Sequence, residues 1–457
     1  MTERGDTTAR PRVTRVAMRS WWEDALWGAV PLTASVAAAL VIADGAFVGS
    51  QPVDYLYGAG RVAGAVGAIL MLAQVLLASR APFIERVLGH DRAIAAHAAW
   101  GKWAVIVMLT HGALILAASS VYDGRHIFAQ AGAYFTQAWY LALAQVAGVV
   151  FLAVLITSLV AVRRRWRYET WHAIHLVVYV GVICAVPHQF LFGATFSRGG
   201  LAFWFWLAVY VVALGSLLVF RVLRPLWQWQ RHDLRVSAVT ALPDGSVSIV
   251  MYGKRLGRLR PRAGQFFLWR FLEPGLWTQA HPFSLSRQPD GHSLRITVRP
   301  SGDFAQSLSR LYPGSRVMVE GPLGAFTMAA RTGEGMVLAA AGIGITPIRA
   351  LLEEYTPQDG PCDVIVRMRS ELEAPLVDEV LVLAALRGAT VHVYLGSRGA
   401  YGWGPHQQPV TLAQIVPDVA RRDVYICGPR GWADAVVDDA RVAGVSDDAI
   451  HRERFVW

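Results

Sequence analysis

The chain has 457 residues, 54% hydrophobic and only 17% charged, with a positive mean hydropathy, a composition that argues against a purely soluble globular protein. Its formal charge of +10 would suit nucleic acid, but the arginines gather beside long apolar runs, as in "RPRVTRVAMRS" and "AVRRRWRYE", and membrane topology explains them better. Cys184, Cys362 and Cys427 form no CxxC and no spacing for zinc or an iron–sulfur cluster, so neither a disulfide framework nor a metal cluster is expected.

In chain order, residues 1–24 are expected to be a cytoplasmic tail, mobile over its first twenty residues. No small-residue cleavage site follows the early arginines, so the first apolar stretch reads as a retained span. Six segments, near 25–47, 58–79, 93–118, 137–162, 171–195 and 200–220, approach or exceed the roughly 20 apolar residues that cross a bilayer as helix. They define an all-α membrane domain over 25–221. Arginines fall in the tail (Arg10, Arg12, Arg15, Arg19), after the second span (Arg80, Arg86, Arg92), after the fourth (Arg163, Arg164, Arg165, Arg167) and after the sixth (Arg221, Arg224). The positive-inside rule makes all four regions cytoplasmic, giving a multi-pass cell-membrane protein with both termini inside.

From about residue 235 the texture becomes "SVSIVMYG", "GQFFLWRF", "SLRITVRP" and "SRVMVEGP", short strands punctuated by Gly and Pro that predict a small β-barrel domain over 231–330. Strand and helix then alternate through "GMVLAAAG", "PIRALLEEY", "CDVIVRMR", "ATVHVYLG" and "RDVYICGP", predicting a parallel α/β domain over 333–457.

The third span holds His97 and His111, and the fifth holds His172, His175 and His188. Ionisable side chains inside a span are costly, so each needs a partner. Odd-numbered spans run in one direction, which sets His97 and His175 near the cytoplasmic side and His111 and His188 near the outer side. Spacings of 14 and 13 residues separate the two levels by roughly 20 Å on both helices. Two stacked haems, each clamped by one histidine from either span, satisfy all four imidazoles. Fourteen residues return to within about 40° of the same face, whereas thirteen do not on an ideal helix, and Pro187 is the expected source of re-aiming. Any one of these histidines could instead bond a neighbouring helix; the matched levels favour the haem reading for the set. His172 lies one turn nearer the cytoplasm than His175, and choosing His175 as ligand rests on the thirteen-residue spacing alone.

The spans "HAAWGKWAVIVMLTH" and "YETWHAIHLVVYVGVICAVPH" resemble the bis-histidine haem core of the ferric reductase and NADPH oxidase superfamily, six-helix proteins carrying two b-type haems. The resemblance implies a cytoplasmic dehydrogenase with FAD on the barrel and NADPH or NADH on the α/β domain. In "HPFSLS", 281–286, it gives His281 to FAD phosphate or ribityl oxygens, Phe283 to the ring system and Ser284 to the reducible flavin nitrogen, with Pro282 and Ser286 completing the segment. Taken alone the hexapeptide could be an ordinary strand end. In "RPSGDFAQSL", 299–308, Arg299, Gly302, Asp303 and Phe304 match the segment where a glycine turn opens a helix towards the FAD pyrophosphate. Ala305 stands where the family usually has a hydroxyl residue, leaving the backbone amides of 302–304 to serve.

"AAAGIGITPIRALL", 339–352, sets a Gly-rich turn between strand and helix: Gly342 and Gly344 admit a pyrophosphate, Thr346 caps or donates, and Pro347 suits a first helical turn. In "VYICGPRGW" the resemblance places Cys427, Gly428 and Pro429 beside the nicotinamide; otherwise Cys427 is a buried core thiol. The chain ends "HRERFVW", where the family stacks a C-terminal aromatic on the flavin, matching Trp457 with Phe455 packing nearby. Arg369 and Arg398 follow strands at the cofactor edge and suit a 2′-phosphate, a lean towards NADPH.

The implied activity is a transmembrane oxidoreductase passing electrons from cytoplasmic NAD(P)H through FAD, the His97/His175 haem and the His111/His188 haem to a small-molecule acceptor outside, oxygen or a ferric chelate. Trp457, Cys427 and Ser284 would act at the hydride-transfer site. Arg125, His126 and Arg198 are candidate acceptor-attracting groups, though loop solvation also explains them. The alternatives are electron supply to a membrane or periplasmic protein partner, and a redox sensor or assembly component.

Overall fold

The computed structural model describes residues 13–159, 166, 168–193, 199–299, 302–370, 375–399, 402–406 and 410–453. Arg163, Arg164, Arg165, Arg167, Arg198, Phe455 and Trp457 lie outside them.

Among the described residues, six helices are long and apolar enough to span a bilayer: Trp21–Ala43, Pro52–Ala78, Arg92–Tyr122, Trp139–Ser158, Thr170–Leu191 and Gly200–His232. Their exposed faces carry residues such as Leu32, Val149, Ile183 and Trp204, the outward apolar surface of a multi-pass membrane protein. The first helix starts at Val13, within the stretch expected to be a mobile tail. A shorter helix, Ile127–Gln137, lies between the third and fourth spans, exposing Phe128 and Phe135 while its buried Gln130 donates to Asp123 at 2.8 Å.

The second and third spans pack through glycine. A Cβ on Gly60 would meet Ile115, on Gly64 His111 and on Gly67 Met108, all under 3.0 Å, so the glycines make room for the third span's side chains at close approach.

Among its described residues, the C-terminal half contains two three-stranded antiparallel sheets and a five-stranded parallel sheet. The first sheet orders β1 (Arg235–Ala241), β2 (Val247–Tyr252) and β5 (Ser293–Val298); the second orders β4 (His281–Ser284), β3 (Phe266–Phe271) and β6 (Val317–Leu323). Their shared core gathers Phe267, Trp269 and Phe271 against Ile249, Met251 and Ile296. The parallel sheet runs β11 (Ile450–Glu453), β10 (Asp423–Cys427), β7 (Met336–Ala341), β8 (Cys362–Met368), β9 (Thr390–Leu395). Every residue of central β7 and β10 is buried, as expected of strands covered on both faces.

Candidate functional site

In the membrane half, His97 faces His175 with ring centres 5.9 Å apart, and His111 faces His188 at 6.4 Å with planes 22° apart. His111 turns Nδ1 to the Gly60 carbonyl at 2.8 Å, which leaves Nε2 as its free coordinating nitrogen. Nδ1 of His97 and Nδ1 of His188 are buried without a hydrogen-bond partner. Two metal–imidazole bonds of about 2.0 Å each set the coordinating nitrogens about 4 Å apart, with the ring centres further out on either side. Ring centres 5.9 and 6.4 Å apart leave room for that arrangement, so these residues would fit a haem iron between them at each level.

The fifth span reaches this arrangement through a feature absent from the sequence reading. It breaks at Val177, between Tyr168–Leu176 and Val178–Leu191, where Val177 N bonds Ile174 O at 3.0 Å and Val180 N bonds Val177 O at 2.9 Å. Such i to i−3 turns wind tighter than an α-helix, advancing His188 in the direction that a thirteen-residue spacing requires. Pro187, the expected source, sits inside the second segment and shares the re-aiming.

Arg61 escaped the sequence reading, although an arginine inside an apolar span is a signal in itself. It pairs with Asp44 and directly follows the carbonyl that His111 uses. Arg125 and His126 serve their loop: Arg125 lies 3.8 Å from Asp123, and His126 accepts from Phe128 N at 3.4 Å as a weak helix cap.

In the barrel, His281, Phe283 and Phe304 form one aromatic pile, with His281 3.8 Å from Phe304 and 6.3 Å from Phe283, centre to centre. Pro282 lies between them on β4, paired with Leu268. Ser284 ends β4 buried, its Oγ without a hydrogen-bond partner, an orphan hydroxyl suited to a flavin heteroatom. Ser286 Oγ accepts from Thr297 at 2.9 Å and from Arg295 at 3.1 Å. Arg299 follows β5, half-buried, and Gly302, at φ +86°, caps the five-residue helix Asp303–Ser307, where Ala305 is buried.

At the carboxyl end of the parallel sheet the two nucleotide motifs meet. A Cβ on Gly344 would lie 2.2 Å from the Cys427 carbonyl, so glycine is what lets the turn after β7 touch the turn after β10. Thr346 donates to Ile343 O at 3.0 Å and Pro347 occupies the first turn of helix Ile345–Glu354. Pro429 precedes the thirteen-residue helix Arg430–Val442. The Cys427 side chain belongs to the core with Leu338, Ala340 and Tyr425, and burial raises its thiol pKa well above the ordinary value. A bound nucleotide could therefore approach its backbone and Gly428, but not a free thiolate.

Arg369 and Arg398 are exposed at the ends of β8 and beyond β9. Between them stands Arg367, overlooked in sequence, which is buried and donates to Gly396 O at 3.0 Å. Burial first, then Arg369 and Arg398, press its pKa below the ordinary guanidinium value, which marks three arginines crowded at one edge.

Residues 63–186 match the family described as the ferric reductase like transmembrane component. The ferredoxin–NAD(+) reductase component of the alkene monooxygenase system of Xanthobacter autotrophicus is 27% identical over 236 residues, covering 50% of this chain and 71% of that relative.

The chain is thus similar to a ferric reductase-like transmembrane component and to a ferredoxin reductase component, a fusion of two likenesses in one sequence.

The fusion also resembles the ferredoxin reductase component of 3-ketosteroid-9-alpha-monooxygenase from Mycolicibacterium smegmatis, 30% identical over 214 residues, 43% of this chain and 56% of the relative. The FAD/NAD binding domain of nitric oxide dioxygenase from Vibrio cholerae covers 49% of the fusion and 98% of that chain, at 22% identity and a TM-score of 0.40. Six apolar spans and these two likenesses support a transmembrane oxidoreductase.

Proposed function

We propose that this oxidoreductase carries electrons from cytoplasmic NAD(P)H through FAD and two b-type haems to an acceptor on the outer face, oxygen or a ferric chelate. The observation that carries the reading is the pair of facing imidazoles at two levels of the same two spans. When bound, the nucleotide supplies hydride, FAD divides it into single electrons and the haems relay them.

The protein's part is positioning. His97 with His175 would hold the inner haem and His111 with His188 the outer one, and with two imidazoles given to each iron an acceptor would take its electron without binding the metal. The Gly60 carbonyl fixes His111 as the Nδ1–H tautomer, and Arg61 holds positive charge at the same level of the span. Ser284 would orient the flavin through its unpaired hydroxyl while Phe283 packs on the ring and His281 faces the phosphate or ribityl oxygens. The Gly342–Gly344 turn would take the nucleotide pyrophosphate, the Cys427–Gly428 backbone would border the nicotinamide, and Trp457 would cover the flavin until nucleotide arrives. Arg369 and Arg398, backed by Arg367, would favour a 2′-phosphate and hence NADPH. With the arginine-rich loops inside, an electron driven outward gains about 2.3 kcal/mol per 100 mV of inside-negative potential.

The test is the absorbance spectrum of the purified protein before and after NADPH, with haem and flavin counted per chain. Two b-type haems and one FAD, the haem bands developing on NADPH addition, are expected; absent haem would overturn the membrane half of the reading. A second reading, electron supply to a protein partner, is favoured by relatives that are reductase components of larger systems. Acceptor screening in membranes with and without candidate partners separates the two.

A further inference from the structure

Beyond the sixth apolar run the helix continues to His232, a helical run of 33 residues. At about 1.5 Å per residue that is about 50 Å, against a hydrocarbon core of about 30 Å, so its last turns must leave the core. Those turns, Arg224–His232, read "RPLWQWQRH", basic and tryptophan-rich, the composition of an interfacial anchor. Gln228 reaches from here to Gly321 O at 3.1 Å, and Lys254 N bonds His232 O at 2.6 Å, so the helix end is fastened to the barrel.

Beside it lies an open cavity of about 690 Å³ lined by Trp227, Arg231, Gly253, Lys254, Arg255 and His292. The Arg231 guanidinium stands 5.0 Å over the half-exposed Trp227 ring. The loop that supplies its other wall, "GKRLGRLRPR", 253–262, carries five cations and no acid. Lys254 is partly neutralised by Asp233 at 3.3 Å, but Arg255, Arg258 and Arg260 are exposed and form no ion pair among the described residues. Arg255 and Arg260 hold left-handed backbone, φ +57° and +51°, a conformation that non-glycine residues seldom adopt. None of the proposed FAD contacts lines this cavity. His292 precedes β5 and Arg299 follows it, so the strand separates the two regions by roughly 20 Å.

We propose that this cavity and its basic loop bind the phosphate of an anionic phospholipid headgroup. Trp227 follows the sixth apolar run by about two helical turns, a sequence position at which an indole would suit a bilayer interface, and the unpaired guanidiniums would supply the charge-assisted bonds that a phosphodiester accepts. The proposal stands apart from the electron path and does not depend on it.

The test uses the full chain in nanodiscs of phosphatidylcholine seeded with a trace of spin-labelled phosphatidylglycerol or spin-labelled phosphatidylcholine, with the motionally restricted fraction read by electron paramagnetic resonance. The wild type should select phosphatidylglycerol. The variant Arg255→Asn, Arg258→Gln, Arg260→Asn, with Asn chosen for the two left-handed positions, should lose about fivefold in selectivity per cation removed, up to about 100-fold in all. The same three positions changed to Lys should keep most of it, which separates charge loss from misfolding. Equal selectivity in wild type and triple variant would overturn the proposal. So would full displacement of the labelled lipid by inorganic phosphate at matched ionic strength, since the site would then be one for free phosphate.

Discussion

In the soluble half, His451 sets Nε2 2.8 Å from Asp423 and His392 sets Nε2 2.7 Å from Asp363, so each imidazole is completed by a carboxylate of the fold itself. In the membrane half the histidines meet one another across 5.9 and 6.4 Å, and buried Nδ1 atoms of His97 and His188 are left unbonded. The difference is one of closure. Buried polar atoms that already have partners hold a structure together, whereas opposed imidazoles spaced for an atom between them describe a structure that needs a guest.

The sharpest way to break this comparison is His111→Ala. Delivery to an outer acceptor should fall by at least about 100-fold with loss of one haem per chain, while NADPH reduction of the flavin, followed with a soluble dye, stays intact. Unchanged haem content would remove His111 from the ligand set. On the soluble side, Gly344→Ala drives a Cβ to 2.2 Å from the Cys427 carbonyl, and the two nucleotide turns must part. A stability loss of about 1–3 kcal/mol and a raised KM for NADPH are expected, read by thermal unfolding and steady-state kinetics.

Glu379→Gln comes next. Its carboxylate accepts from Arg295 at 3.0 and 2.8 Å and from Arg349 at 2.8 Å, tying the barrel to the parallel-sheet domain. Burial opposes its ionisation, and the two arginines outweigh that and lower its pKa. Because Glu379 is 37% exposed, the expected loss is about 2 kcal/mol, measured by denaturant unfolding of the flavin-fluorescence signal.

The last effect is read from the acid limb of a stability profile. Burial alone would raise the Asp423 pKa, but bonds from His451, Thr332 N and Gly333 N leave it below the ordinary 3.8. A lowered folded-state pKa gives stability that is complete above the unfolded value, near 3.9, and is lost as pH falls through the folded one. Asp423→Asn should therefore flatten the acid limb of a pH series of Tm, and an unaltered limb would place the acid sensitivity elsewhere.

The six spans were legible because hydropathy is a one-dimensional property, and strands such as "MVLAAA" because burial on both faces leaves a continuous apolar run. β1 was missed since most of its positions face solvent and its sequence, "RVSAVTA", is weakly apolar. The break at Val177 was hidden in a uniform apolar stretch, where backbone hydrogen bonding rather than side-chain type changes. Ser286 and Cys427 were assigned from motif position, but whether a side chain points to a ligand or the core depends on strand register: Cys427 pairs with Ala340 and Glu453 and turns inward. Arg61 and Arg367 were visible letters whose weight emerged only from the neighbours folding brings to them.

The glycine face of the second span also sets an order of biogenesis. Gly60, Gly64 and Gly67 let the second and third spans close on each other with backbone and side chains alone, so this hairpin can form as soon as both have left the translocon. The fifth span shares an apolar core with the third, Val182 and Ala185 beside Val105, and its opposed histidines leave room for a further group between them. If these pairs take up haem as proposed, newly made chains should show early crosslinks between the second and third spans and haem-dependent ones between the third and fifth, and cofactor supply would then be a checkpoint on maturation.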